Sequence, residues 1–122
     1  MRTFLDILHD LKLNEVVLRK NEISENNLRV KVETLGPGPD FRNCLLRKGN
    51  DPISLIAEVK SRSPGRKNVE RLDPETVVCD FEKGGAKAIS VLTDERWFGG
   101  SLETLGKVSA ATLYPCCTKS LL

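Results

Sequence analysis

The sequence predicts an α/β protein whose strands run parallel, and three observations support this. Two short apolar runs, 53–59 and 88–93, have the length and composition of strands buried in a parallel sheet. A helical pattern follows each run after a loop, which is the β-α-β-α order of a parallel sheet. The chain has 122 residues, whereas a complete (β/α)₈ barrel takes about 250 residues. A closed barrel is therefore excluded for these residues alone.

The N-terminal part is predicted to be helical. Thr3 caps the first helix, and Asp6 completes a weak capping box three residues later. The apolar residues of this helix recur at helical spacing: Phe4, Leu8, Leu11 and Leu18. The polar run 21–33 leaves its structure open. A turn rich in Gly and Pro follows, and Asp40 then caps a short helix at 41–47.

The remainder alternates between strands and helices. The first strand, 53–59, is expected to be buried on both faces. The triplet 73–75 begins a helix, since Asp is a favoured N-cap and Pro a favoured first helical residue. The glycines at 84–85 end that helix. The second strand, 88–93, leads through a loop to a further helix that begins at 100–103.

Composition excludes several classes of function. Nineteen Lys plus Arg against 17 Asp plus Glu give a net charge of +2, so neither nucleic acid nor a membrane is expected as a partner. No apolar run approaches the roughly 18 residues of a membrane span. The start of the chain lacks a secretion signal. We therefore expect an intracellular location, in the cytoplasm, or in a plastid if the source is a plant. The four cysteines have no metal-ligand spacing, so we expect reduced thiols and no metal site.

Candidate binding residues follow the predicted strands. Ligand-binding groups of parallel sheets gather at the C-terminal strand ends, where Glu58 and Lys60 lie two residues apart and therefore face one side. They are either a site or an ordinary solvent-exposed ion pair. The basic loop 61–67 either covers an anionic substrate or is a solvated loop. Trp97 and Phe98 either wall a planar ligand or pack over the sheet.

Several segments, taken together and in order, resemble indole-3-glycerol phosphate synthase. They are 55–60 with Ser63-Pro64, 82–86, 89–94 and 98–103, joined by Lys12, Glu15 and Val16 in the first helix and by Asp40-Phe41. The resemblance covers about residues 4–105. It implies a (β/α)₈ TIM barrel, of which this chain holds a helical extension at 1–50, about two βα units at 51–112, and an atypical tail at 113–122.

The resemblance also implies an activity and a set of site residues. The family closes the ring of 1-(2-carboxyphenylamino)-1-deoxyribulose 5-phosphate with loss of CO₂ and water, in tryptophan biosynthesis. This carboxy-lyase reaction needs no cofactor or metal, and the partner is a phosphorylated small molecule. Glu58 and Lys60 would be catalytic, with Lys60 holding the substrate carboxylate and assisting charge development near the reacting carbonyl. Ser63 would belong to the mobile substrate loop, and Phe98 would pack on the substrate's aromatic ring.

The sequence departs from the family pattern in two respects. The family usually has Ser-Pro-Ser-x-Gly in the substrate loop, whereas this chain has Ser-Pro-Gly-Arg-Lys at 63–67. The family has a general-acid lysine on strand 3, a main catalytic glutamate on strand 5 and a phosphate-binding backbone on the last strands. We expect none of these in the 122 residues. We therefore expect the 122 residues to be inactive alone. The alternative is a non-catalytic truncated product or a partner-binding fragment.

The tail 113–122 looks like no segment of the family. Read two nucleotides later, its possible codons spell a segment similar to the family's strand 3, Leu-Pro-Val-Leu-x-Lys. We therefore hypothesise that the reading frame shifts between about Leu105 and Leu113. The nucleotide sequence tests this, and an alternate frame without such a segment would make the hypothesis wrong.

Overall fold

The computed structural model describes residues 1–63 and 73–119, in two compact units, Met1–Pro37 (unit 1) and Gly38–Leu121 (unit 2). Unit 1 comprises the helices α1, Phe4–Glu22, and α2, Glu25–Glu33. The predicted capping box is confirmed: the Thr3 hydroxyl accepts a hydrogen bond from the Asp6 backbone N–H at 3.2 Å, and the Asp6 carboxylate accepts one from the Thr3 N–H at 2.7 Å. The polar run that the sequence left open is largely α2.

Unit 2 contains a three-stranded sheet with helices. Its elements are α3 (Phe41–Leu45), β1 (Leu55–Val59), α4 (Pro74–Lys83), β2 (Ala86–Leu92), α5 (Glu95–Phe98), α6 (Leu102–Ala111) and β3 (Cys116–Lys119). The sheet order is β1-β2-β3, and both pairings are parallel, as the β-α-β-α pattern predicted. The third strand was not predicted from the residues as translated.

Local signals place α4 and α6. The Asp73 carboxylate accepts hydrogen bonds from the Thr76 backbone N–H at 3.0 Å and from its hydroxyl, Pro74 is the first helical residue, and Gly84 is the C-cap. Ser101 caps α6 by accepting from the Thr104 N–H at 3.0 Å. Both predicted helix starts are therefore confirmed. The short helix that Asp40 caps ends at Leu45 rather than at residue 47.

The apolar core lies between the sheet and the two longer helices of unit 2. Five buried side chains form it: Val59, Ile89 and Val91 of the strands, with Val78 of α4 and Val108 of α6. Every residue of β2 except Lys87 is buried. Side chains alternate between the two faces of a strand. The residues next to the core residues along each strand therefore project to the opposite face of the sheet, and Glu58, which precedes Val59, is one of them.

The prediction that the first strand is buried on both faces is wrong. Leu55 is 52% exposed and Ile56 is 49% exposed. The strand β1 hydrogen-bonds to β2 and is an edge strand of the described sheet. Within that sheet it is therefore covered by a neighbouring strand on one side only. An apolar run predicts a strand, but the sheet position decides how much of it is buried.

The segment after β2 is also more regular than the predicted loop. Trp97 and Phe98 lie in the one-turn helix α5, because the Asp94 carboxylate caps it by accepting from the Trp97 N–H at 2.8 Å. Gly100 then passes so close to β2 that an added Cβ would lie 1.6 Å from the Leu92 carbonyl oxygen. The segment carrying the aromatic pair is therefore fixed against the end of β2. None of the described helices has the length and apolar character needed to cross a bilayer.

Candidate active site

Two of the predicted site residues meet at the C-terminal end of the sheet. The Lys60 ammonium lies 3.2 Å from Glu58 Oε1. Their side chains share a face because they are two residues apart at the end of β1. The Glu58 side chain is 31% exposed and that of Lys60 is 38% exposed. The predicted placement on one face is thus confirmed, and the two groups form a half-exposed ion pair.

A third group, Lys119 at the end of β3, joins this pair. Its ammonium donates to Glu58 Oε2 at 3.4 Å. The register explains the approach, because Leu92 pairs with Lys119 and Glu58 pairs with Ser90, which brings the ends of β1 and β3 to the same edge. One carboxylate therefore bridges two ammonium groups, and we call these three residues the Glu58 cluster.

The charges of the Glu58 cluster are mutually supportive. Partial burial raises the pKa of the Glu58 carboxyl, but hydrogen bonds and charge from Lys60 and Lys119 lower that pKa by more, so it lies below its ordinary value. Glu58 is therefore ionised at neutral pH. One glutamate and two lysines have formal charges that sum to about +1, which suits a site that receives an anion such as a carboxylate.

Sequence reasoning missed Lys119, although a signal was present. The family's strand 3 segment, Leu-Pro-Val-Leu-x-Lys, has its lysine four residues after the proline. In the tail as translated, Lys119 also follows Pro115 by four residues. The expectation that the chain holds no strand-3 lysine is corrected by this placement, because β3 forms beside β2 and ends at that lysine.

The other two predicted residues, Ser63 and Phe98, lie at the contact between the segment after β1 and the end of α5. The backbone N–H of Arg62 donates to the Phe98 carbonyl at 3.1 Å, and Ser63 is the next residue in the chain. Both Ser63 and Phe98 are half-buried. The structure thus brings the two segments together by backbone contact. The remainder of the predicted basic loop, 64–67, lies outside the described residues.

Trp97, which precedes Phe98, contacts another side chain of the same helix. The Arg96 guanidinium lies over the Trp97 ring, 5.5 Å from its centre, within the range of cation–π attraction. Both aromatic side chains are half-buried, so packing and ligand contact both remain open to them. In the described ranges, 1–63 and 73–119, no group of three or more His, Cys, Asp or Glu side chains could hold a metal ion.

Comparison with known proteins gives a consistent result. The family pattern for indole-3-glycerol phosphate synthase matches residues 5–122. Among similar proteins, indole-3-glycerol phosphate synthase of Aliarcobacter butzleri is 31% identical over 120 residues, covering 97% of this chain and 46% of the relative. The enzyme of Hyphomonas neptunium is 34% identical over 124 residues, covering 100% and 47%. That of Staphylococcus haemolyticus is 48% identical over 73 residues, covering 60% and 28%.

Two facts follow from these matches. The chain spans less than half the length of these relatives. The family match extends past residue 105 to 122, so the resemblance does not fade where the sequence analysis placed its end. This in-frame match removes the main reason for the frame-shift hypothesis, which stays a prediction for the nucleotide sequence.

Proposed function

The chain belongs to the indole-3-glycerol phosphate synthase family, and on this premise we propose that it supplies the first part of that enzyme's active site. The family is a lyase family built on a TIM barrel, and the parallel three-stranded sheet is consistent with part of such a barrel. In this proposal residues 1–50 are the helical extension and residues 51–122 contribute the first strands. The substrate is 1-(2-carboxyphenylamino)-1-deoxyribulose 5-phosphate, and the reaction is its decarboxylating and dehydrating ring closure.

The Glu58 cluster carries the proposal. It lies at the C-terminal ends of parallel strands, where barrel enzymes bind their substrates. Lys60 would hold the substrate carboxylate through a charge-assisted hydrogen bond. Lys119 would donate a proton to the reacting carbonyl oxygen as negative charge develops there. Glu58 would hold both ammonium groups in position, since each lies within 3.4 Å of one of its oxygens.

Two further residues would bind the substrate without taking part in proton transfer. Phe98 would pack on the aromatic ring, and Ser63 would contribute a hydroxyl from the substrate loop. The family's glutamate on strand 5 and its phosphate-binding backbone on the last strands are absent from these 122 residues. The expected outcome for the 122-residue polypeptide alone is therefore substrate binding without turnover.

Calorimetric titration of the 122-residue chain with the substrate tests this function. Replacing Lys60 or Lys119 with Met removes one charged hydrogen bond, and we expect affinity to fall about tenfold or more. Lys107→Met is the matched control, because Lys107 pairs with Glu103 on α6 rather than with Glu58. Equal affinity in all four proteins would refute the proposed role of the cluster. Chromatographic detection of product from the unaltered chain would instead contradict the expected lack of turnover.

Exposed apolar side chains favour a second candidate function, the binding of another polypeptide. Ile53 is 76% exposed and Leu113 is 97% exposed, and β1 and β3 are the edge strands of the described sheet. Exposed strand edges and apolar patches are common sites of association. Light scattering tests the case in which the bound polypeptide is a second copy of this chain: a dimer or larger species supports it, and a monodisperse monomer contradicts it.

A further inference from the structure

The side chain of Arg62 joins the segment after β1 to the helix α5, and it has no part in the substrate binding proposed above. Nη2 of Arg62 donates to the Glu95 carbonyl at 2.7 Å and also to the Arg96 carbonyl. Both carbonyls belong to α5, which has only one turn. The last carbonyls of a helix have no donor inside the helix, and the guanidinium supplies one to the Arg96 carbonyl. The Glu95 carbonyl accepts from the guanidinium in addition to the Gly99 N–H, which lies 3.2 Å away.

Two backbone features join the same segments. The Arg62 N–H donates to the Phe98 carbonyl at 3.1 Å. Gly99 has φ +65°, and an added Cβ there would lie 3.4 Å from Ser61 Cβ and 3.5 Å from Arg62 Cγ. The glycine therefore permits the left-handed turn that ends α5, whereas an added Cβ would meet the segment from β1 only at ordinary contact distance. The guanidinium and the backbone N–H of Arg62 thus both hydrogen-bond to α5, across more than 30 residues of sequence.

The geometry points to Arg62 as a positioning residue that holds Ser63 and Phe98 in a fixed relation to each other. Ser63 follows Arg62 directly, and the carbonyl of Phe98 accepts from the Arg62 backbone. Arginine suits this task because one planar guanidinium reaches two carbonyls. Arg62 Nε is buried without a partner among the described residues. Burying an N–H group without a partner costs free energy. The Arg62 side chain therefore stays in this position because its hydrogen bonds to the two carbonyls and its packing offset that cost.

This inference deepens the proposed function, since the residues that it aligns are the proposed substrate-binding pair. Its test nevertheless works without substrate. Amide hydrogen exchange reports on the junction through the N–H groups of Arg62, Phe98 and Gly99, whose acceptors are the carbonyls of Phe98, Asp94 and Glu95. The single tryptophan of the chain, Trp97, lies in α5 and reports on its exposure through acrylamide quenching of its fluorescence.

We compare the unaltered 122-residue chain with Arg62→Ala, Arg62→Lys and the control Arg47→Ala. Arg47 also donates from its guanidinium to a backbone carbonyl, that of Asp51 at 2.9 Å, but does so outside the junction. Arg62→Ala should exchange about three- to tenfold faster at the three junction amides and show stronger Trp97 quenching. Arg62→Lys should lie in between, because it keeps the charge but lacks the planar guanidinium. Exchange of the Ile89 amide, which donates to the Pro115 carbonyl, should not change in Arg62→Ala or Arg62→Lys. In the control Arg47→Ala, the three junction amides should exchange as in the unaltered chain.

The outcomes separate the inference from the proposed function. Unchanged junction exchange in Arg62→Ala would overturn the inference, as would an equal acceleration at Ile89, because that would mark a general loss of stability. If Arg62→Ala does not fold, Arg62→Lys decides by the same comparison. In a substrate titration, weaker binding by the Arg62 variants supports the alignment of Ser63 and Phe98. A chain that binds no substrate but shows the exchange pattern refutes the proposed function and leaves the positioning role standing.

Discussion

Adding one methyl group at Gly100 should destabilise unit 2 strongly. An alanine Cβ would lie 1.6 Å from the Leu92 carbonyl oxygen, whereas ordinary contact begins near 3.4 Å. The backbone must therefore move by about 1.8 Å, which is a severe form of overpacking. Such a movement also breaks the hydrogen bond from the Gly100 N–H to the Asp94 carbonyl, 3.1 Å long.

The magnitude follows from these two contributions. Overpacking costs about 1–3 kcal/mol, and a lost hydrogen bond costs about 1 kcal/mol. We expect the free energy of unfolding to fall by about 2–4 kcal/mol in Gly100→Ala. With a urea m-value of about 1–3 kcal/mol/M for a small protein, the midpoint of the circular-dichroism transition should fall by about 1 M or more.

The same substitution at Gly106 is the control, and its sign should be opposite. Gly106 lies inside α6, and an added Cβ meets nothing within 4 Å. Alanine there should stabilise the helix by about 0.5–1 kcal/mol, because glycine loses more backbone entropy on folding. A Gly100→Ala midpoint equal to that of the unaltered chain, or a lower midpoint for Gly106→Ala than for Gly100→Ala, would refute the steric reasoning.

Two further predictions concern the Glu58 cluster and the core. Because the pKa of Glu58 lies below its ordinary value of 4.5, its contribution to stability is present at neutral pH and is lost as the pH falls through the folded-state pKa. Thermal unfolding measured from pH 7 to pH 3 should therefore show that Glu58→Gln is less stable than the unaltered chain at pH 7, by about 0.5–1 kcal/mol for half-exposed pairs. The difference in stability between the two proteins should vanish at low pH. A difference that stays the same at every pH would contradict this prediction. Replacing Ile89, which is fully buried in β2, by Ala should lower the free energy of unfolding by about 2–5 kcal/mol. Leu113 is 97% exposed, so Leu113→Ala should change the urea midpoint little. Equal effects of the two substitutions would contradict the assigned core.

Much of the local structure was predictable because its causes lie within a few residues. The Thr3 capping box, the Asp73-Pro74 helix start and the strand β2 all follow from side-chain chemistry and spacing in one stretch of chain. The pairing of Glu58 with Lys60 belongs to the same class, since two residues separated by one position on a strand share a face.

Other elements were less visible because the sequence signal was weak or mixed. The polar residues of α2 gave no clear apolar period, although Ser24 caps this helix. The helix α5 is a single turn, too short for periodicity to reveal. The strand β3 contains two cysteines and ends with polar residues, so its composition alone did not indicate a strand.

The sequence by itself determined the helix caps, the parallel β-α order and the family, because each depends on residue types at fixed spacings. Only the tertiary structure decided that β1 lies at an edge of the described sheet, and that Glu58 meets Lys119. These two residues are 61 positions apart, and the register of β1 and β3 on β2 brings their side chains to one edge. Strand register depends on packing and backbone hydrogen bonds between distant segments, which no local pattern specifies.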